Sequence, residues 1–232
     1  MSAPQRRLVD VTVVMAVKDG ARFIDQAFDS LEASTVAPRE VLVIDGGSRD
    51  ETEVLVHARP WTRFVPQRSR GIAGAYNEAV EEAQGALIAF LSHDDLWAPE
   101  KLARQVEAME TRPELMFTVS RVQHFLEPES NPPPGFRTSL LEAPAPGFLM
   151  EALVARRGLF DLLGPFDESL VTSEDTDWFA RAIDAGVAHA VIEAVLVRKR
   201  VHASNASLND AGTNANLLTA LRRSVERKRA AS

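Results

Sequence analysis

The apolar run Phe90-Leu91-Ser92-His93 ends in two adjacent carboxylates, Asp94 and Asp95, with a helix start marked by Pro99 just beyond. Two negative charges at the carboxyl end of a buried strand call for a cation. In open α/β sheets that edge is where ligands bind, and paired carboxylates offer the hard oxygen atoms that Mg2+ or Mn2+ prefer. A metal held there would in turn hold phosphates. Three further acidic spots stand at strand or loop ends: Asp19, Asp45 and the pair Glu174-Asp175. Each has a bland reading by itself, since Asp45 can shape the Gly46-Gly47 turn, Asp95 can cap the next helix, and Asp175 can sit in a first turn begun by Thr172. Their convergence on one predicted sheet edge favours a site.

The elements that must position these groups follow from hydrophobic period. Val9 to Val17 is apolar nearly throughout, as in a strand covered on both faces. Phe23, Ile24, Ala27, Phe28 and Leu31 fall on one helical face, and Val41-Leu42-Val43-Ile44 returns to strand. Ser48 with Glu51 reads as a capping box, which predicts a helix after the Asp45-Gly46-Gly47 turn and running to about His57. Arg63-Phe64-Val65 is a weaker strand, Ile72 to Ala83 is helical in period, and Ala86 to Leu91 is again a buried strand. A helix from Pro99 to Thr111 and a strand from Leu115 to Ser120 follow. Residues 127–147, with Pro132-Pro133-Pro134, read as a long irregular loop bordering a cleft. Beyond it the pattern predicts a helix over Met150 to Leu163, a Gly164-Pro165 turn, a helix over Glu174 to Ala185, a strand over Ala190 to Arg200, and a terminal helix from Ala211 to Arg229 with Leu217, Leu218 and Leu221 on one side. The alternation predicts an α/β fold of Rossmann-like, three-layer α/β/α type with a mostly parallel central sheet.

The chain has 232 residues, formal net charge −7 and no cysteine. That length suits one compact domain. Disulfides, thiolate metal sites and thiol nucleophiles are excluded, and the scattered basic residues argue against nucleic acid. No apolar stretch reaches the ~18 residues of a membrane span, so a cytoplasmic protein is expected. The basic run Arg222, Arg223, Arg227, Lys228 and Arg229 suits either an ordinary solvated helix or peripheral contact with the inner membrane face.

Five segments taken together resemble family 2 glycosyltransferases of the GT-A fold: Val13-Val14-Met15-Ala16-Val17-Lys18-Asp19-Gly20, Val43-Ile44-Asp45-Gly46-Gly47-Ser48-Arg49-Asp50, the Phe90 to Asp95 run, Gly164-Pro165-Phe166-Asp167-Glu168 with Ser173-Glu174-Asp175-Thr176-Asp177-Trp178, and Arg200-Val201-His202-Ala203-Ser204-Asn205. The resemblance spans roughly residues 8 to 208, and the specificity lies in the order and spacing rather than in any single motif. It implies inverting transfer of a sugar from a nucleotide diphosphate donor to an acceptor hydroxyl, assisted by Mn2+ or Mg2+. Asp95 would ligate the metal, with Asp94 at the ribose or behind the ligand, and His202 either a metal ligand or a partner of the diphosphate. Asp175 would be the general base, with Glu174 and Asp177 raising its proton affinity and Trp178 supporting the acceptor side.

Ala16, Val17, Asp19, Asp45, Arg70, Gly71 and Asn77 would line the nucleotide, while Tyr76 belongs to the core and His93 points back into the sheet. The resemblance divides the chain into a nucleotide-sugar half (1–120), an acceptor and catalytic half (121–210) and the C-terminal basic helix (211–232). It favours a UDP-sugar as donor and a saccharide, lipid-linked or small-molecule acceptor. Three positions depart from the family pattern: Lys18-Asp19 replaces Tyr-Asn, Gly46 replaces a second Asp, and Ser92 replaces the first Asp of an Asp-x-Asp-Asp run. The competing readings are a sugar nucleotidyltransferase, for which Lys18-Asp19-Gly20 is a poor phosphate loop, and a non-catalytic nucleotide-sugar-binding protein of the same fold.

Overall fold

The computed structural model describes residues 6–203, 205 and 213–230; Ser204 and Ala211, named above, lie outside them. Strand β1 (Arg7–Val17) is buried from Val11 to Met15 and forms the spine of the sheet. It pairs in parallel with β2 (Val36–Asp45) on one side and β4 (Leu87–Phe90) on the other, and β2 pairs in parallel with β3 (Thr62–Pro66). In this register Val17 lies beside Asp45, and Asp45 beside Pro66. The carboxyl ends of these strands therefore share one edge.

Helix α1 (Ile24–Glu32) buries Ile24, Ala27, Phe28 and Leu31, the stripe its spacing predicts. Helix α2 (Thr52–His57) starts later than the Ser48 signal implies. The Ser48 hydroxyl is turned back to donate to Asp45 Oδ1, and Asp50 Oδ1 accepts from the Thr52 N–H at 3.0 Å instead. Helix α3 (Gly71–Glu82) packs on β1 and β2. The short strand β5 (Leu96–Trp97) leads into α4 (Lys101–Thr111), and β6 (Phe117–Leu126) runs well past the predicted Ser120.

Residues 127–147 are not wholly irregular. They contain the single-turn α5 (Ser139–Glu142) and β7 (Ala145–Pro146), which pairs with β6. The predicted helix over Met150 to Leu163 is a correction. It resolves into a 3₁₀ turn (Met150–Ala152), strand β8 (Val154–Arg156) and helix α6 (Gly158–Leu163). A short apolar run does not distinguish strand from buried helix by period alone, and β8 is fixed by its place between β4 and β6, antiparallel to both.

Helix α7 (Glu174–Asp184) precedes β9 (His189–Val201), which runs parallel to β6 over most of its length and antiparallel to β5. The sheet order is β3-β2-β1-β4-β8-β6-β9-β5, with β7 on the side of β6. Its long pairings are parallel and its antiparallel ones short, so the expected α/β fold with a mostly parallel sheet is present. Trp178, fully buried, joins Phe117, Phe160, Phe166 and Phe179 in an aromatic cluster.

The terminal helix α8 (Thr213–Ala230) forms as expected, and the side carrying Leu218 and Leu221 is not the one that docks. Leu218, Leu221 and Val225 are exposed, while Ala220 and Ser224 are buried. Charge directs this docking: Ser224 Oγ donates to Asp184 at 2.9 Å, Arg227 Nε to the other Asp184 oxygen at 2.8 Å, and Arg223 pairs with Asp167. No helix among the described residues is long and apolar enough to cross a membrane.

Candidate active site

A cleft of about 1070 Å³ opens at the carboxyl edge of β1, β2 and β4 and extends to the start of α7. Beyond Phe90 the chain tightens into a turn in which the Asp95 N–H donates to Ser92 O at 3.2 Å. Leu96 then pairs with Arg198 across β5 and β9. That pairing draws β9 over the turn. The Arg200 N–H donates to Asp95 Oδ1 at 2.8 Å and Lys199 Nζ to Asp95 Oδ2 at 3.0 Å. Arg200, itself 1% exposed, donates through Nε to the Asp94 carbonyl at 2.8 Å. Asp94 is left facing the cleft, where the ring of His202 places Nε2 2.9 Å from Asp94 Oδ2, and Asn205 Nδ2 donates to the same oxygen at 3.3 Å.

The two carboxylates titrate in opposite senses. Burial works against ionisation at Asp94, but the His202 hydrogen bond and the Lys199 charge hold its carboxyl well below the usual range. Burial pushes Asp95 up to about 7, opposed by the Lys199 charge, while both its oxygens accept hydrogen bonds. Lys199 also donates to Glu151 Oε1 at 3.1 Å, an oxygen that takes a second hydrogen bond from Ser92 Oγ at 2.6 Å. Despite burial, Asp95, Glu151 and Asp94 push the Lys199 ammonium well above its ordinary value.

Ser173, at φ 68°, turns the chain into α7 and sets Glu174 and Asp175 in its first turn on the cleft wall. Asp175 Oδ1 accepts from the Thr176 N–H at 2.6 Å. Burial and the negative Glu151 raise Asp175, while burial and Asp175 raise Glu174 to about 8. The outcome is a pair of carboxyl groups whose proton affinity lies above the ordinary carboxylate range. At the far end of the cleft, Asp19 stands at φ 52°, where its N–H donates to Ser48 Oγ and its carboxylate accepts from the Arg49 N–H, each at 2.8 Å. This ties the loops after β1 and β2 together.

Residues 12–165 match the family model for glycosyl transferase family 2. The chain belongs to that family. It is 26% identical over 217 residues to an uncharacterized glycosyltransferase of Rickettsia felis, covering 85% of this chain and 35% of that protein. It is 30% identical over 201 residues to the succinoglycan biosynthesis protein ExoO of Rhizobium meliloti, covering 78% and 57%. A 102-residue stretch, 43% of this chain and 40% of the relative, is 33% identical to the Escherichia coli UDP-Glc:alpha-D-GlcNAc-diphosphoundecaprenol beta-1,3-glucosyltransferase WfgD. The chain thus spans about a third to just over half of the length of these three relatives. Among solved structures, S. aureus TarS 1-349 in complex with UDP-GlcNAc superposes with TM-score 0.74 at 15% identity, covering 94% of this chain and 66% of that one. The mannosyltransferase PcManGT of Pyrobaculum calidifontis, in complex with GDP-Man and Mn2+, superposes with TM-score 0.70 at 20% identity, covering 96% and 66%. These likenesses establish the GT-A fold of the family.

Within this glycosyl transferase frame, the cleft is lined by Ala16, Val17, Asp19, Arg70, Gly71, Asp94, Glu174, Asp175 and His202 of the residues singled out from sequence. Others are placed elsewhere. Asp95, expected at the metal, is fully buried with both oxygens engaged, and Asp94, expected behind it, is the carboxylate at the cleft. Asp45 spends its carboxylate on its own turn, accepting from the Gly47 and Ser48 N–H groups at 3.0 Å, so Gly46 reaches the cleft in its stead. Asn77 turns away and braces α3 to the loop before α7: its Nδ2 donates to Phe166 O at 3.1 Å, and its Oδ1 accepts from the Phe166 N–H at 2.7 Å. Asp177 is buried against Arg181 at 2.9 Å, and Trp178 lies in the aromatic cluster, so both support α7 from behind. His93, expected to point into the sheet, lines the cleft beside Gly20.

Sequence reasoning missed Glu151, Gln67, Arg22 and Lys18, all of which line the cleft. Gln67 follows the end of β3 much as Gly46 follows β2, so the strand-end rule could have found it. Glu151 gave no such signal because its segment read as helix.

Proposed function

We propose that this chain transfers a sugar from a nucleoside diphosphate to an acceptor hydroxyl with inversion at the anomeric carbon, and that a divalent cation assists. The observation carrying this reading is that the Asp94-His202 pair and the Glu174-Asp175 pair open on the same cleft. Asp94 and His202 present a carboxylate oxygen and an imidazole nitrogen, a donor set that suits Mn2+ or Mg2+. Among the described residues no group of three His, Cys, Asp or Glu gathers to hold an ion. Two protein ligands fit an ion that completes its shell from diphosphate and water. When bound, such an ion would supply Lewis-acid stabilisation of the departing diphosphate.

The chain's own groups do the remaining work. Asp175 takes the proton of the acceptor hydroxyl as that oxygen attacks the anomeric carbon, its proton affinity raised by burial and by the Glu151 charge. Asp94 and His202 fix the phosphate end, and Ala16, Val17, Asp19, Arg70 and Gly71 form the wall along which the nucleoside lies. The family prior and the UDP-GlcNAc complex of TarS favour a UDP-sugar donor, and the name of the E. coli relative supports a lipid-linked saccharide as acceptor. The exposed stripe Leu218, Leu221 and Val225, flanked by Arg222 and Arg229, is the face that would meet an anionic bilayer carrying such an acceptor. Asp175→Asn tests the central assignment: transfer should fall by about 10²–10⁴-fold while donor binding persists. Undiminished transfer by that variant rejects Asp175 as base.

A further inference from the structure

We propose that Glu151 and Lys199, cross-braced by Ser92 and Asp95, form the subsite that reads a pair of neighbouring hydroxyls on the transferred sugar. The inference rests on the proposed function above and adds to it the part of the donor these residues would recognise. Glu151 is 8% exposed, yet it lines the cleft. Its Oε1 accepts from Ser92 Oγ at 2.6 Å and from Lys199 Nζ at 3.1 Å, and a carboxylate, with about four acceptor sites, keeps capacity beyond these two bonds. Lys199 uses two of its three N–H donors, on Asp95 and Glu151, and its side chain remains 26% exposed at the cleft wall. Acceptor capacity on Glu151 and one further N–H donor on Lys199 thus stand side by side.

A purely structural ion pair would gain most by closing on itself, because each polar group left open in a buried setting costs desolvation. Here both residues line the cleft. Two adjacent ring hydroxyls match them: one donates to Glu151 Oε2 while its neighbour accepts from Lys199 Nζ. The location suits that role, since the Lys199 charge is felt at Asp94 and also at Glu174 and Asp175, which brackets the space a sugar must occupy between diphosphate and base. Both partners remain charged there, because Lys199 and the Ser92 hydroxyl hold Glu151 below the usual range against its burial. The serine at position 92 also acquires a reason. A hydroxyl there can donate to Glu151, whereas an aspartate would set a third carboxylate against Glu151 and Asp94.

The test compares affinities of the wild type, Glu151→Gln and Ser92→Ala for UDP and GDP, and for UDP-glucose, UDP-GlcNAc and GDP-mannose, with Mn2+ present, by calorimetry. Glu151→Gln should leave the nucleoside diphosphate affinity within about twofold but weaken the sugar nucleotide about 10- to 100-fold, the cost of leaving hydroxyl partners unmatched. Ser92→Ala, which keeps every charge, should show a smaller loss confined to the sugar nucleotide. With donors lacking a single ring hydroxyl, the wild type should discriminate at the position it reads and Glu151→Gln should not, a difference that misfolding cannot produce. Equal losses for diphosphate and sugar nucleotide, or no loss for either, overturn the subsite. Wild-type protein that binds none of the nucleotides overturns the proposed function itself, a distinct result.

Discussion

At the scale of residues, two acids of the cleft wall, Glu174 and Asp94, titrate in opposite senses. Glu174, pushed to about 8 from its ordinary 4.5, holds in the folded state a proton that the unfolded chain has lost over that interval. Its stabilising effect is therefore complete below about 4.5 and disappears as pH rises through 8. Glu174→Gln removes this dependence. Relative to wild type, the variant should gain about 4 kcal/mol of stability at pH 9 compared with pH 5, read from chemical denaturation at the two pH values. An unchanged difference between the two would show that Glu174 ionises normally. Asp94, held low, contributes the opposite slope only at far more acidic pH, outside that window. The adjacent Asp94 and Asp95 illustrate how far residue type alone carries an argument. Sequence identified the carboxylate pair, but which one meets the cleft depends on β9, whose Lys199 and Arg200 lie 104 and 105 positions away.

At the scale of elements, the sequence was most legible where a long period repeats. The stripe of α1, the buried β1 and the parallel β1-β2-β4 core were all readable, because each residue's neighbours are set by local geometry. The segment after Gly147 was not, since β8 is a strand only by virtue of the gap between β4 and β6. Asn77 makes the same point at an element junction. Its amide holds both backbone polar groups of Phe166, so Asn77→Ala should cost about 1–3 kcal/mol of stability in denaturant melts while leaving the KM for donor nearly unchanged. A large rise in KM without loss of stability would return Asn77 to the nucleotide. Gly85 is a second such junction, where an added Cβ would stand 2.5 Å from the Thr12 nitrogen in the neighbouring β1. That contact forces backbone to move.

At the scale of the whole molecule, ligand binding and docking offer the remaining tests. A nucleoside diphosphate with Mn2+ at one hundred times its Kd should add about 2.7 kcal/mol to folding stability, and Asp94→Asn should abolish the part that requires the ion. Retention of that part in the variant would remove Asp94 from the ligand set. The exposed side of α8 predicts sedimentation with anionic vesicles that weakens with salt and with Leu218→Ser and Leu221→Ser, and protein that stays in the supernatant at low salt refutes the contact. By itself the sequence determined the α/β alternation, the sheet edge on which the carboxylates gather and the family to which the chain belongs, because periodicity and motif order are local or one-dimensional properties. Only the tertiary structure decided which of those groups face the cleft. Asp94 does and Asp95 does not, Asn77 braces a loop, and Glu151 joins Lys199, because these outcomes depend on pairings between strands and loops distant in sequence, whose hydrogen bonds fix each side chain after the elements have packed.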